Sequence, residues 1–168
     1  QLEIKSGEAQ PMKSNVTVEV IPQLVDVHTT QPIKLNSTNE VDFFPTAVVP
    51  NAHFVSGGSI TVDVSPPQAW FVVKLSARSG ITFGKKKEVL VDGRKAGTFA
   101  DEGNSRFVVT IPAKVSQAHA MVQKILRGIC IEAARLSDTE LNVELTVKDT
   151  ARDTQRIVTT TVDVALPN

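Results

Sequence analysis

The sequence predicts a mostly β protein, an antiparallel β-sandwich that carries one short α-helix. Three observations support this prediction. Of the 168 residues, 41% are apolar, and valine and isoleucine recur among them in short runs that favour strands. Apolar and polar residues alternate along most of these runs, as expected where one face of a strand is buried. Turn signals separate the runs at fairly even intervals, which is typical of a sandwich.

The predicted strands follow the alternation of apolar and polar residues along the chain. They cover residues 16–21, 59–64, 71–75, 88–91, 107–111, 141–147 and 157–164. The turn signals between them are Gly57-Gly58, Pro66-Pro67, Asp92-Gly93 and the run 102–104. These residue types suit tight turns, so the strands are expected to pair mainly with their neighbours in an antiparallel sheet.

One segment departs from the strand pattern and predicts the helix, over residues 117–127. Its apolar residues recur three or four positions apart, and they are Ala118, Met121, Val122, Ile125 and Leu126. Ser116 offers an N-cap oxygen, and Gly128 offers a residue that can adopt a left-handed conformation after the last turn. Because a helix this short is not stable alone, its apolar stripe is expected to lie on the sandwich.

The two ends of the chain share a hairpin-like pattern. Residues 2–5 and 18–22 have the layout of residues 145–148 and 162–167, at an offset of about 143 residues. One interpretation is that residues 1–22 form a hairpin resembling the closing strands of a preceding repeat, and that residues 23–168 form the repeat domain. The other interpretation is that two hairpins of one sandwich look alike by chance.

Charge and hydropathy exclude several classes of function. The 18 basic residues balance the 18 acidic ones, so the chain has no net field that would attract nucleic acid or an anionic membrane. No apolar stretch reaches the roughly 20 residues that span a bilayer, so membrane insertion of this segment is not expected. The most basic run, Lys85–Lys87, is expected to be a turn between two strands, with a phosphate-binding patch as the alternative.

The order of motifs over residues 45–165 resembles a known family. The motifs are SGGSITV at 56–62, EVLVDGRKAGTF at 88–99, a strand at 107–111, the helix with its flanks at 115–129, and NVELTVKD at 142–149. In this order and spacing they resemble the cadherin-like or immunoglobulin-like tandem repeats of giant bacterial surface adhesins and calcium-dependent secreted proteins. The resemblance implies an immunoglobulin- or cadherin-like sandwich, adjacent repeats of the same chain as partners, and a cell-surface or extracellular location.

Few residues carry chemistry that would suit catalysis. His28, His53 and His119 are scattered, and no two of them have a spacing typical of metal ligands, so they are expected at the surface. Cys130 lies in a strand-like run directly after the helix and is expected to be a buried, inert thiol. The sequence therefore predicts no catalytic residue and no organic cofactor.

Calcium is the metal for which the sequence offers candidates. Asp42, Asp149 and Asp153 would bind it if the loops at one end of the sandwich brought their oxygens together. Asp138 and Glu140 lie in an earlier loop. The alternative is that these aspartates stabilise their own turns through hydrogen bonds to the local backbone.

Two aromatic pairs stand out in the sequence. Trp70, next to Phe71, is expected to fill the core of the sandwich. Phe43 and Phe44 would point to opposite sides of an extended segment, which would leave one ring available to an adjacent module or a partner.

The function predicted from these features is a non-enzymatic structural or adhesive repeat of a larger multi-repeat protein, mediating protein–protein or cell-surface contact. The alternative is an intracellular scaffold domain, for example one associated with the cytoskeleton, that binds a protein partner through an exposed strand edge. A third class, a carbohydrate-binding or hydrolytic accessory domain, would need aromatics grouped on one face or a pair of carboxylates, and the sequence offers neither.

Overall fold

The computed structural model describes residues 33–50, 57–115, 118–150 and 153–164. The strands in these ranges are β1 (Ile33–Leu35), β2 (Val41–Asp42), β3 (Gly58–Ser65), β4 (Phe71–Leu75), β5 (Ile81–Phe83), β6 (Glu88–Val91), β7 (Arg94–Asp101), β8 (Arg106–Ile111), β9 (Ile129–Ala133), β10 (Thr139–Asp149) and β11 (Thr154–Val164). The helix α1 is Ala118–Gly128. The predicted strand at 16–21 and the predicted hairpin at 1–22 lie outside the described residues.

The strands form two sheets that share one core, so the protein is mostly β and sandwich-like, with one helix, as predicted. The larger sheet has eight strands in the order β1-β11-β10-β3-β8-β7-β6-β5, and the smaller has three in the order β2-β9-β4. Val62 and Leu145 of the larger sheet lie in the same buried cluster as Val73 and Ile131 of the smaller one. Neighbouring strands are antiparallel except β1 and β11, which pair in parallel.

Local sequence explains the hairpins of the larger sheet. Asp92 and Gly93 both have positive φ angles, 51° and 79°, which is the type I′ turn that suits the twist of the two strands it joins, β6 and β7. In β10 every second side chain from Leu141 onward is buried, so one face of the strand lies on the core and the other faces out. The alternation therefore located the longest pairing, that of β10 with β11, although β10 runs two residues further than predicted at each end and β11 begins three residues earlier.

Helix α1 packs its apolar stripe onto the larger sheet. Met121, Val122, Ile125 and Leu126 are buried, and the helix lies against β5, β6 and β7. Its N-cap prediction falls on residues outside the described ranges. The prediction that Gly128 would be left-handed beyond the helix is wrong, because Gly128 is the last helical residue and its φ is not positive. Glycine fits there for another reason, since a Cβ would lie 2.8 Å from the Ile81 Cδ1. No helix among the described residues is long and apolar enough to cross a membrane.

The aromatic pairs are packed in the core. Trp70 is buried, as predicted, and its ring meets that of Phe71 edge to face with centroids 5.2 Å apart. The prediction that Phe43 or Phe44 would be available to a partner is wrong, because both rings are buried. The reason is that β2 ends at residue 42 and the chain turns, with the Ala47 N–H donating to the Phe44 carbonyl oxygen at 3.2 Å.

The two sheets differ in width, and this difference determines which surface stays open. Within the described residues, three strands cannot cover the inner face of eight, so the β5 end of the larger sheet needs another cover. Helix α1 covers part of it. The remaining part, near Phe83 and Phe99, borders β4, the edge strand of the smaller sheet, and a cleft remains there.

Candidate functional site

The cleft lies between β4 and the large-sheet strands β5, β7 and β8. Its volume is about 400 Å³. Val72 and Leu75 line it on the β4 side, and Phe83, Phe99 and Phe107 line it on the other. The turn that joins β7 to β8 closes one end, with Gly103 and Asn104 among the lining residues. Most of the lining is apolar, as in sites that bind apolar side chains.

Three phenylalanines form a continuous ladder through this cleft. Phe107 is buried, its ring stacks on Phe99 with centroids 5.6 Å apart, and Phe99 meets Phe83 edge to face at 5.3 Å. Phe83 is 41% exposed, and Ile157 on β11 is the only other large apolar side chain that is exposed among the described residues. The ladder therefore runs from the core to the surface, so a ligand can contact its outer ring without disturbing the core.

The edge of β4 that borders the cleft presents backbone hydrogen-bonding groups. On the side toward β9, the Ser76 N–H donates to the Gly128 carbonyl at 2.9 Å. In an antiparallel pair, only every second residue of a strand bonds to the same neighbouring strand. The backbone groups of Phe71, Val73 and Leu75 therefore point away from β9. Within the described residues, the Val73 N–H meets the Asn104 carbonyl at 2.8 Å, and no other backbone partner is found on this side. We call this side of β4 the open edge.

A turn of three lysines forms the rim of the cleft next to Phe83. Lys85, Lys86 and Lys87 are exposed, and the Gly84 N–H donates to the Glu88 carbonyl at 2.9 Å across the base of the turn. The Lys87 Nζ lies 5.7 Å from the centroid of Phe99, in the position of a cation over a ring face. The turn between two strands is the arrangement predicted for this run.

The outer face of the smaller sheet carries a network of ion pairs. The Lys74 Nζ contacts the carboxylates of both Glu40, at 2.8 Å, and Glu132, and Arg78 pairs with Asp42. Hydrogen bonds from Lys74 and from the Ser76 hydroxyl lower the pKa of Glu40. The bonds to Glu132 and Glu40 raise the pKa of Lys74. Both groups are thus charged at neutral pH.

Cys130 lies beneath this network. Its neighbours Ile129 and Ile131 face the core, so the thiol points to the other side of β9, between Asp42 and Lys74 on the adjacent strands. The side chain is nevertheless fully buried, as predicted. Burial raises the pKa of Cys130 to about 12, and the nearby carboxylate of Glu40 adds to the shift. A thiol with so high a pKa is a poor nucleophile at neutral pH.

The calcium candidates are divided between the two sheets. Asp149 and Asp153 belong to the same hairpin, where Asp149 is buried at the end of β10 and the Asp153 side chain is 93% exposed. Asp42 lies on β2 of the smaller sheet and is paired with Arg78. Within the described parts of the chain, no three His, Cys, Asp or Glu side chains cluster closely enough to hold a metal ion. Calcium binding by these residues stays a prediction.

The other polar residues of interest do not converge on the aromatic cleft. His119 is half-buried on α1, and His28 and His53 lie outside the described residues. A second cleft, of about 270 Å³, lies at the C-terminal end of α1. Its cationic side chains already have partners, since Lys124 binds Asp92 at 2.7 Å and Arg127 donates to the Ala47 carbonyl at 2.8 Å. The aromatic cleft is therefore the better candidate for a binding site.

Comparison of the chain with protein-family models, with curated proteins and with solved structures finds no match. The class of protein is thus defined here by its architecture, a β-sandwich with one helix.

Sequence reasoning did not identify the cleft. The available signal was the Ile81-Thr82-Phe83 triplet, whose alternation places Phe83 on the core-facing side of an edge strand.

Proposed function

We propose that this chain is a non-enzymatic module that binds protein segments through the open edge of β4 and the aromatic cleft beside it. The observation that carries the proposal is the position of Phe83, an exposed ring that continues the ladder of Phe99 and Phe107 directly opposite this edge. An extended segment laid in the cleft would gain backbone hydrogen bonds from one wall and apolar contact from the other. Such addition of a strand to a sheet is a recurrent mode of protein recognition.

The sequence supports two candidate biological settings for this contact. The motif order at 88–99 and 115–129 favours an adhesive repeat of a multi-repeat surface protein, with adjacent repeats as neighbours. The second candidate is a cytoplasmic scaffold domain, and the open edge favours it as much as the first, because strand addition serves both settings. The sequences that flank this chain in its protein distinguish the two, since further copies at a similar period belong to the first.

Selection from a library of random linear peptides tests the contact itself. Peptides displayed on phage would be selected on the immobilised chain, synthesised, and titrated while backbone amide resonances are recorded by NMR. We expect the largest shifts at Phe71–Leu75 and at Phe99, and slower hydrogen exchange of the Leu75 amide in the complex. Affinities in the micromolar to millimolar range suit so small a contact.

Two matched variants distinguish binding in the cleft from nonspecific binding to exposed apolar side chains. Phe83→Ala removes the exposed ring of the ladder. Ile157→Ala removes the other large apolar side chain that is exposed in the described ranges, on a strand of the opposite half of the sheet. We expect Phe83→Ala to weaken binding of the selected peptides at least about tenfold, as for loss of an aromatic anchor. Ile157→Ala should leave binding unchanged. Equal loss in both variants, or shifts confined to other strands, would overturn the proposal.

A further inference from the structure

We propose that the occupant of the cleft is an extended acidic segment, in which a carboxylate stands two residues from an apolar anchor. This inference rests on the proposed function and adds the chemistry of the partner. It is argued from the dimensions of the open edge, the position of the aromatic ladder, and the charges of the lysine turn.

The open edge sets the conformation and length of the segment. β4 has five residues and is roughly 16 Å long at about 3.3 Å per residue. The Val73 N–H at its centre is already bonded to the Asn104 carbonyl, so a partner strand would bond mainly to the backbone groups of Phe71 and Leu75 on either side. Side chains of an added strand alternate, so residues 1, 3 and 5 of a five-residue segment share one face. If the central residue is apolar and rests on Phe83 and Phe99, the terminal residues point toward the two ends of the cleft.

The lysine turn carries three positive charges next to Phe83, and Asp101, which lines the cleft, is a carboxylate at ion-pair distance from it. Lys87 is 3.9 Å from the Asp101 carboxylate, with both side chains 57% exposed, so that pair is loose and solvated. Within the described residues, Lys85 and Lys86 have no carboxylate at ion-pair distance. A carboxylate two residues along an extended strand lies about 7 Å from its anchor, comparable to the 5.7 Å between the Lys87 Nζ and the Phe99 ring. An acidic side chain therefore reaches this rim.

Several other cations of the described residues are already paired, unlike Lys85 and Lys86. Ion pairs join Lys74 to Glu40 and Glu132, Arg78 to Asp42, Arg106 to Asp63 and Glu102, and Lys124 to Asp92. The turn also holds its lysines in an uncommon conformation. Lys86 and Lys87 have φ angles of 55° and 60°, in the left-handed region that costs free energy for residues other than glycine. The turn follows Phe83 closely in the chain and places the Lys87 Nζ beside the Phe99 ring.

Three synthetic peptides test the charge requirement. They are the acetylated, amidated segments Asp-Val-Phe-Val-Glu, Asn-Val-Phe-Val-Gln and Lys-Val-Phe-Val-Lys, which keep the anchor and change only the flanking charge. Dissociation constants would be measured by NMR titration at roughly 20 mM and 200 mM NaCl, conditions that differ strongly in screening. We expect the acidic peptide to bind on the order of 3- to 10-fold more tightly than the neutral one at low salt, and the difference to shrink at high salt.

Two variants that lose the same net charge test whether the preference for the acidic peptide depends on the lysine turn. The double variant Lys85→Gln with Lys86→Gln should reduce the preference for the acidic peptide over the neutral one. The double variant Lys34→Gln with Lys148→Gln removes the same net charge from β1 and β10 and should keep the preference.

The possible failures are distinguishable. Equal binding of the acidic and neutral peptides at the open edge would overturn the acidic segment and leave the proposed function standing. Failure of all three peptides together with failure of the library selection would overturn both. A concentration-dependent dimer of the chain alone in sedimentation, lost in Phe83→Ala, would assign the cleft to a second copy and overturn the acidic segment as its occupant.

Discussion

Cys130 lies on the face of β9 that points away from the core, yet no part of its side chain is exposed. The ion pairs of Lys74 and Arg78 cover it, and the aliphatic stem of a lysine can shield an apolar atom while its ammonium group stays in water. Charged side chains therefore shield this buried residue from solvent, whereas apolar side chains do so elsewhere in the sandwich. The consequence is a thiol whose ionisation is opposed by burial.

The chemistry of Cys130 should reflect this burial. Because the pKa of the thiol is raised to about 12, its thiolate is scarce below that pH in the folded protein. We expect alkylation by iodoacetamide at pH 8 to be on the order of 100-fold slower, or more, in the native chain than in urea. The rate in the native chain should keep rising toward pH 12. A native rate that levels off near pH 9 would contradict the burial.

The same shift has a consequence for stability. The folded state keeps the thiol proton while the unfolded chain loses it above about pH 9, so the stability linked to this proton is complete below pH 9 and is lost toward pH 12. Urea denaturation should therefore show a steeper fall of the free energy of unfolding over that window in the native sequence than in Cys130→Ala. Parallel curves for the two proteins would contradict this linkage.

Gly97 illustrates a different constraint, that of backbone contact across strands. A Cβ at this position of β7 would lie 2.2 Å from the Thr110 carbonyl oxygen of β8, and a backbone oxygen cannot move without disturbing the ladder. We expect Gly97→Ala to lower the free energy of unfolding by about 2–3 kcal/mol in urea denaturation. The control is Gly84→Ala, whose Cβ would meet the Glu88 side chain, with the Glu88 Cβ nearest at 3.2 Å, and should cost less than about 1 kcal/mol. Equal costs would contradict the steric argument.

At the scale of elements, α1 takes the place of strands over the β5 end of the larger sheet. Ile125 is fully buried in this contact, whereas its neighbour Lys124 makes an exposed ion pair with Asp92. Ile125→Ala should lower the free energy of unfolding by about 2–4 kcal/mol, since it removes three buried carbons and leaves a cavity. Lys124→Ala should cost less than about 1 kcal/mol. Similar values for the two in thermal or urea denaturation would show that the helix does not depend on its apolar stripe.

The strands and the helix that could be predicted from the sequence are those long enough to repeat an alternation or a helical stripe. The predicted strands at 71–75 and 88–91 coincide with β4 and β6, and the helix differs by one residue at each end, because an alternation or a helical stripe repeats within each of them. β1, β2 and β5 have three, two and three residues, too few to show a period. β7 was not predicted for another reason. Its pairing with β6 shifts register between Val89 and Leu90, and its burial pattern does not alternate.

At the scale of the whole molecule, the aromatic cleft follows from the unequal width of the two sheets. Phe83, Phe99 and Phe107 lie on three different strands, so their ladder depends on cross-strand neighbours that no local pattern encodes. The open edge of β4 depends in turn on the strand order of the smaller sheet. The sandwich could therefore be predicted from the sequence, but the aromatic cleft between its two sheets could not. The site belongs to the assembly of elements rather than to any one motif.

The division of the aspartates between the sheets gives an expectation for calcium. A site with a dissociation constant of about 0.5 mM, typical of extracellular modules, would stabilise the fold by about 1.4 kcal/mol at roughly 5 mM calcium. That corresponds to a rise in Tm of about 3–5 °C for a domain of this size. Because Asp42 is paired with Arg78 and lies on the other sheet from Asp149 and Asp153, we expect a rise below about 1 °C in scanning calorimetry.

Chelation and one variant make the calcium test decisive. The scan with calcium should match a scan in excess EGTA, and magnesium at the same concentration is the control for ionic strength. A rise near 4 °C that EGTA reverses would instead establish a calcium site. Asp153→Asn would then locate it, because Asp153 is exposed at the β10–β11 hairpin and its loss should abolish the rise without lowering the Tm in EGTA. Retention of the rise in that variant would place the site away from this hairpin.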